Sequence, residues 1–137
     1  MTIYKPFPFD SRYLIGDDGS IVGAKGNQLS QRPVAKTGYV KVAIGNPKYG
    51  GFGEVLVHRA VCLAFGKMSM DQWHDCRVWC VDHKDGNKTN NNLSNLEIVT
   101  YSENQLRYYR ALRGKLGSLK QLSNSSNRLL TLAEIYI

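Results

Sequence analysis

The stretch VDHKDGNKTNNNLSNLEIVTYSEN, residues 81–104, decides how this chain is read. Val78, Trp79 and Cys80 lead into it, so an apolar run of buried-strand type ends at Asp82 and His83. Residues 84–92 are polar, turn-rich and dense in asparagine. Asx side chains bond to nearby backbone and favour irregular structure over helix or strand. A long ordered loop is therefore predicted, its far end pinned by Leu93 and Leu96. Glu97, Ile98, Val99 and Thr100 are predicted to form a second strand. Ser102 is the expected N-cap of a helix over residues 103–113, which carries Arg107, Arg110 and Arg113.

Asp82 and Asn104 lie 22 positions apart. A β-hairpin with a long loop, followed by a helix, is able to bring two such side chains together. Asp offers a hard anionic oxygen and Asn a neutral amide oxygen; both suit Mg²⁺ or Mn²⁺ and neither is a good zinc ligand. His83 sits beside Asp82 on the same strand end. Adjacent strand residues point to opposite faces, so both serve one site only if the strand bends or ends there, which the turn at Gly86 permits. His74, Cys76, Cys80 and His83 raise a zinc alternative, but H-x-C-x₃-C-x₂-H is not a usual structural spacing.

The quoted segment resembles the signature of HNH (ββα-metal) endonucleases, in particular the phage and intron-encoded homing and nicking branch. VHRAVCLAF, residues 57–65, is similar to the helix that precedes the motif there, and GYVKVAI, residues 38–44, to a strand segment. The resemblance is strong over residues 57–104, loose over 12–56 and absent beyond Arg113. It implies that His83 is the general base and that Asp82 and Asn104 are the metal ligands. It gives Asn95 the task of holding the loop in shape. The final motif position is Asn, as in the homing and nicking branch, where many relatives have His; the zinc-binding Cys pairs of some relatives are absent. The implied reaction is hydrolysis of a DNA phosphodiester with one divalent ion, giving 5′-phosphate and 3′-hydroxyl ends. Histidine titrates near roughly 6.5, which suits a base at neutral pH. Arg107 lies three residues after Asn104 on the same helix face, either as a phosphate clamp or as an exposed helix arginine. One such site nicks one strand of double-stranded DNA, and a homodimer would cut both; monomer and dimer both stay open.

Upstream, Tyr13, Leu14 and Ile15, a turn over residues 16–19, and Ser20, Ile21 and Val22 read as a tight hairpin. The segment before it, with Pro6 and Pro8 around Phe7 and Phe9, reads as an extended lead-in. Tyr39, Val40, Val42 and Ile44 form a β-rich run with Lys41 alternating outward, and residues 52–57 form another strand. Residues 12–57 are thus expected to make one small antiparallel sheet with a basic face. Helical spacing of Val61, Ala64 and Phe65 predicts a short helix stopped by Gly66, with His58 capping or packing at its start, or else contacting a phosphate or assisting the site. Residues 68–75 are either loop or helix.

The expected class is α+β. Residues 1–66 form a basic β-sheet DNA-binding region with a short packing helix, 67–113 a ββα-metal core, and 114–137 an arm in which residues 129–137 are apolar again. Net charge is +7, and its distribution is one-signed at both sides of the core. Lys25, Arg32, Lys36, Lys41 and Lys48 lie between Gly19 and Gly53 with no acidic residue among them; Arg107, Arg110, Arg113, Lys115, Lys120 and Arg128 do the same between Asn104 and Ala133. Such blocks fit a polyanion, because each cation that meets a phosphate releases a counterion. No stretch approaches the ~20 apolar residues that cross a bilayer, and the N-terminus lacks a secretory h-region, so a cytoplasmic protein is expected. Cys62, Cys76 and Cys80, an odd set, are read as buried small apolar residues. Trp73 and Trp79 are assigned to the core, and Tyr108 and Tyr109 to helix packing or DNA contact. Two rival readings remain: a DNA-binding module that has lost cleavage, and a phage factor that binds a host protein.

Overall fold

A computed structural model describes residues 1–118 and divides the chain into two compact units, Met1–Ile98 and Val99–Ile137. The expected arm beyond residue 118, with Lys120, Arg128 and the apolar residues 129–137, lies outside the described residues. No described helix is long and apolar enough to cross a membrane.

The fold is α+β, as the alternation of two-residue and helical periods predicts. The single sheet expected over residues 12–57 is instead two. In the first, β1 (Tyr4–Phe7), β2 (Asp10–Gly16) and β3 (Ile21–Val22) run antiparallel in that order. The proposed lead-in is thus a strand. Pro6 is tolerated because β1 is an edge, where a missing N–H breaks no interior ladder, and the register slips between Pro6 and Phe7. The hairpin turn between β2 and β3 is held by Gly16 N–H donating to Ser20 O at 2.7 Å, with Gly19 at φ 90°. The second sheet is β4 (Gln31–Pro33), β5 (Val40–Ile44) and β6 (Gly53–Leu56). Its first strand went unread because Gln, Arg and Pro carry no apolar period. In β5, Val40, Val42 and Ile44 are buried while Lys41 and Ala43 face away from the core.

Helix α1 (Val57–Ala64) follows β6 directly and buries Val57, Ala60 and Val61 at helical spacing, together with Cys62 and Leu63. These meet Phe7, Ile15 and Ile21 of the first sheet, Val42, Ile44 and Val55 of the second, and Val81 and Leu96 further on in one buried cluster. Gly66, at φ 76°, ends the segment. The undecided segment contains α2 (Met70–His74), which starts with a capping box. Ser69 Oγ accepts from Gln72 N–H at 3.1 Å and Gln72 Oε1 accepts from Ser69 N–H at 2.9 Å. Strand β7 (Trp79–His83) pairs with β8 (Leu96–Thr100), and α3 (Tyr101–Ser118) follows. The order strand, loop, strand, helix is the predicted one.

Two helix boundaries differ from the sequence expectation. Thr100 Oγ1, not Ser102, accepts from Glu103 N–H at 3.1 Å, so α3 begins two residues earlier. It also runs through Gly114 to Ser118, a glycine that costs a helix only about 1 kcal/mol relative to Ala. Of the cysteines, Cys62 is buried as expected, but Cys80 is half-buried and Cys76 is exposed. Trp73 is core, with the Arg59 guanidinium 4.3 Å from its ring centroid, and Trp79 is half-buried.

Candidate functional site

Strand β7 alternates in and out of the core: Val81 and His83 are buried and Asp82 between them is half-buried. The strand stops at His83. Gly86 N–H donates to His83 O at 2.9 Å, closing a turn that Gly86 completes at φ 76°, and Lys84 N–H donates to Asn95 O at 2.8 Å. The adjacent carboxylate and imidazole therefore sit at a strand terminus, the condition the alternation argument required.

The asparagine-rich loop is ordered by its own side chains. Asn95 donates from Nδ2 to Asp85 Oδ1 and to Asn90 O, each at 2.9 Å, and its Oδ1 accepts from Asp85 N–H at 3.1 Å. Asp85 also accepts from Asn90 Nδ2 at 2.8 Å and from Asn87 N–H at 2.8 Å. These bonds hold its carboxyl below the usual carboxylate range, the Asn90 amide contributing most, followed by Asn87 N–H and Asn95. Because Asn95 is buried and spends three bonds on the loop, Asn95→Ala should destabilise the chain by about 2–4 kcal/mol in urea titration. A loss under 0.5 kcal/mol, a value within about the range of neutral surface changes, would contradict this bracing role.

Around His83 the packing is aromatic. The His58 ring lies 5.1 Å and the Tyr39 ring 6.0 Å from its centroid, and Tyr39 lies tilted 4.8 Å from His58. Lys88 caps the group, with Nζ 4.7 Å over Tyr39 and donating to Thr37 O at 2.6 Å, so the loop is tied to the β4–β5 hairpin. His83 Nε2 lies 2.8 Å from Asn91 Oδ1. Burial pushes the His58 imidazole down to about 3, with the His83 ring and Arg59 adding to the effect, and its Nδ1 is buried without a partner. Burial raises the Tyr39 hydroxyl, helped by Cys80 and Asp82.

The remaining site residues of the sequence reading are in the second unit or on the sheets. Asn104 and Arg107 are half-buried on α3, and Arg107 Nε donates to Glu103 Oε1 at 3.2 Å, a pairing the clamp argument left out. Arg110 and Arg113 are exposed, Arg113 lying over Tyr109 at 5.4 Å. Lys25, Lys36 and Lys48 are exposed. Arg32 and Lys41 stand directly opposite one another across β4 and β5, and Glu54 on β6 offsets that repulsion at 3.8 and 2.9 Å. Asp82 carries a half-buried carboxylate in the first unit and Asn104 a half-buried carboxamide in the second; each side chain bears an oxygen of the kind Mg²⁺ and Mn²⁺ take.

Sequence reasoning missed Asn91, Tyr39 and Lys88. Asn91 stands in a run of three asparagines with nothing local to mark it; it alone of the three is fully buried. Tyr39 reads from the sequence only as a strand residue, whereas it stands just before β5.

Residues 55–106 match the profile of a family described as HNH endonuclease. The chain is 31% identical over 102 residues to DNA endonuclease I-HmuI of Bacillus phage SP01, covering 72% of this chain and 53% of that protein. It is 30% identical over 120 residues to the SPbeta prophage-derived putative HNH homing endonuclease YosQ of Bacillus subtilis strain 168, covering 86% and 65%. An HNH endonuclease of Acanthamoeba polyphaga mimivirus, L245, is 26% identical over 115 residues, covering 84% and 32%. The chain thus spans 32% to 65% of the length of these relatives. A solved structure of I-HmuI, titled for its DNA binding and cleavage, superposes with a TM-score of 0.58 at 24% identity, covering 94% of this chain and 65% of that one, a likeness of fold.

Proposed function

We propose, from the match of residues 55–106 to the HNH endonuclease family, that the chain hydrolyses phosphodiester bonds in double-stranded DNA with the help of one divalent metal ion. The observation that carries this reading is the His83 imidazole at the end of β7, flanked by a carboxylate and backed by a loop that Asn95 laces into one shape. His83 is the general base: it takes a proton from the water that attacks phosphorus as the P–O3′ bond breaks, and the leaving 3′-oxygen takes a proton from solvent water. Asp82 and Asn104 are the proposed protein ligands of the ion, a pairing supported by their spacing in the motif and by their oxygen chemistry. The chemistry that Mg²⁺ or Mn²⁺ supplies when bound is neutralisation of charge at the scissile phosphate and the leaving oxygen. Products carry 5′-phosphate and 3′-hydroxyl ends. A monomer nicks.

Supercoiled plasmid incubated with the full chain and Mg²⁺ or Mn²⁺ should relax, and end-labelling should find the stated termini. EDTA should stop the reaction, as should Asp82→Ala. Undiminished nicking in both cases would remove the metal from the proposal.

Affinity comes from phosphate contacts by Lys25, Arg32, Lys36, Lys41 and Lys48 on the β-region and by Arg110 and Arg113, with Arg107 nearer the chemistry. The chain should be retained on DNA at ~0.1 M salt and released steeply above it. Glu54 competes with DNA for Arg32 and Lys41. Glu54→Gln should therefore tighten retention and steepen the salt slope by about one charge. Weaker binding by this variant would mean that Glu54 orients the two cations rather than occupying them.

A further inference from the structure

We propose that Asn91 is a positioning residue that fixes which nitrogen of His83 is basic. Its carboxamide oxygen takes the Nε2 proton in a hydrogen bond, and the lone pair is left on Nδ1, the nitrogen that then serves as base. The tautomer is inferred from Nε2 facing an oxygen acceptor; its use in proton abstraction rests on the nuclease reading above.

The contact is short and dry. Nε2 and Oδ1 are 2.8 Å apart, with His83 6% and Asn91 4% exposed. An amide oxygen only accepts, so a neutral imidazole facing it carries its proton on Nε2. The partner of one ring nitrogen selects the role of the other, and a buried bond holds the ring against rotation.

Asn91 is itself held from both sides. Along the loop, Asn90 N–H donates to Asn87 O at 3.0 Å, and Leu93 N–H donates to Asp17 O at 2.8 Å, which joins the loop to the β2–β3 turn. From that turn, Gly19 packs against it: a Cβ at position 19 would stand 2.9 Å from Asn91 Cβ and 3.1 Å from its carbonyl oxygen. Gly19 O accepts from Gln31 Nε2 at 2.7 Å, which ties the turn to β4. The N-terminal hairpin therefore does more than offer a surface. It is the backstop for the side chain that holds the base.

The test uses the full chain labelled with ¹⁵N in histidine, and two variants close to Asn in shape. Asn91→Leu keeps the volume and removes the acceptor; Asn91→Asp keeps the acceptor. Long-range ¹⁵N–¹H spectra of the neutral ring should find the His83 proton on Nε2 in the wild type and in Asn91→Asp. Asn91→Leu should lose that single tautomer and nick about 10- to 100-fold more slowly at saturating DNA, with KM little changed, while Asn91→Asp recovers most of the rate. A proton on Nδ1 in the wild type overturns the assignment whether or not the variants fold. So does an Asn91→Leu protein that keeps both tautomer and rate. A wild type that shows the Nε2 proton yet never relaxes plasmid in Mg²⁺ or Mn²⁺ refutes the nuclease reading instead, and with it the positioning role.

Discussion

His83→Ala should slow plasmid nicking by about 10²- to 10⁴-fold, the range that positioned general bases supply. The loss should appear in kcat, with DNA retention unchanged within about threefold, because the proposed phosphate contacts lie on other side chains. The variant removes an imidazole packed against the Tyr39 and His58 rings and bonded to Asn91, so some stability goes with it. Circular dichroism and urea midpoints must therefore accompany the rate. His83→Gln, which keeps much of the volume without a usable base, should be as inactive while staying closer to wild-type stability. Retention of more than about a tenth of the rate in both folded variants would exclude His83 as the base.

The second large effect is on acid stability. His58 is buried, and its imidazole is pushed from 6.5 to about 3, first by burial, then by the neighbouring His83 ring and Arg59. In the folded chain it stays neutral where the unfolded chain binds a proton. Stability is thus complete above pH 6.5 and is lost as the pH falls from 6.5 toward about 3. Each unit costs about 1.4 kcal/mol, so moving from neutral pH to about pH 5 should cost about 2 kcal/mol from this one group. His58→Phe keeps a ring in contact with Tyr39 and has no proton to gain. Urea unfolding of the two proteins should diverge below pH 6.5, the wild type falling by about 2 kcal/mol more at about pH 5. Parallel curves would show that His58 protonates in place, through an opening of the Tyr39 stack. Carboxylates such as Asp85 weaken the fold at lower pH, so the comparison belongs above their range.

The sequence disclosed its chemistry more fully than its architecture. The central motif, with its Asp-His pair, its turn at Gly86 and its apolar pins at Leu93 and Leu96, is a local pattern, and local patterns survive translation into structure. The strand end at His83 and the loop held by Asn95 were both legible for that reason. The partition of the β-region into two sheets was not, because strand pairing is set by distant partners. Val42 reads identically whether its neighbour is Gln31 or a strand of the first sheet, and Gln31–Pro33 has no apolar period at all. The same holds for Asn91 and for Glu54. One is picked out from its neighbours only by burial, the other only by the cations that the sheet register sets around it. Arg107 was placed on the correct helix, but its i−4 neighbour Glu103, visible in the sequence, was left out of account.

The slipped, proline-bearing border of the first sheet has a further consequence. A border strand with a regular row of amides is a template on which a foreign polypeptide is able to grow an intermolecular ladder, the usual first step toward fibres. Pro6 deletes one rung of that template, the irregularity at Phe7 bends the next away, and β3 on the opposite border is only two residues long. The chain is thereby able to expose strands at high local concentration without stitching itself to its neighbours.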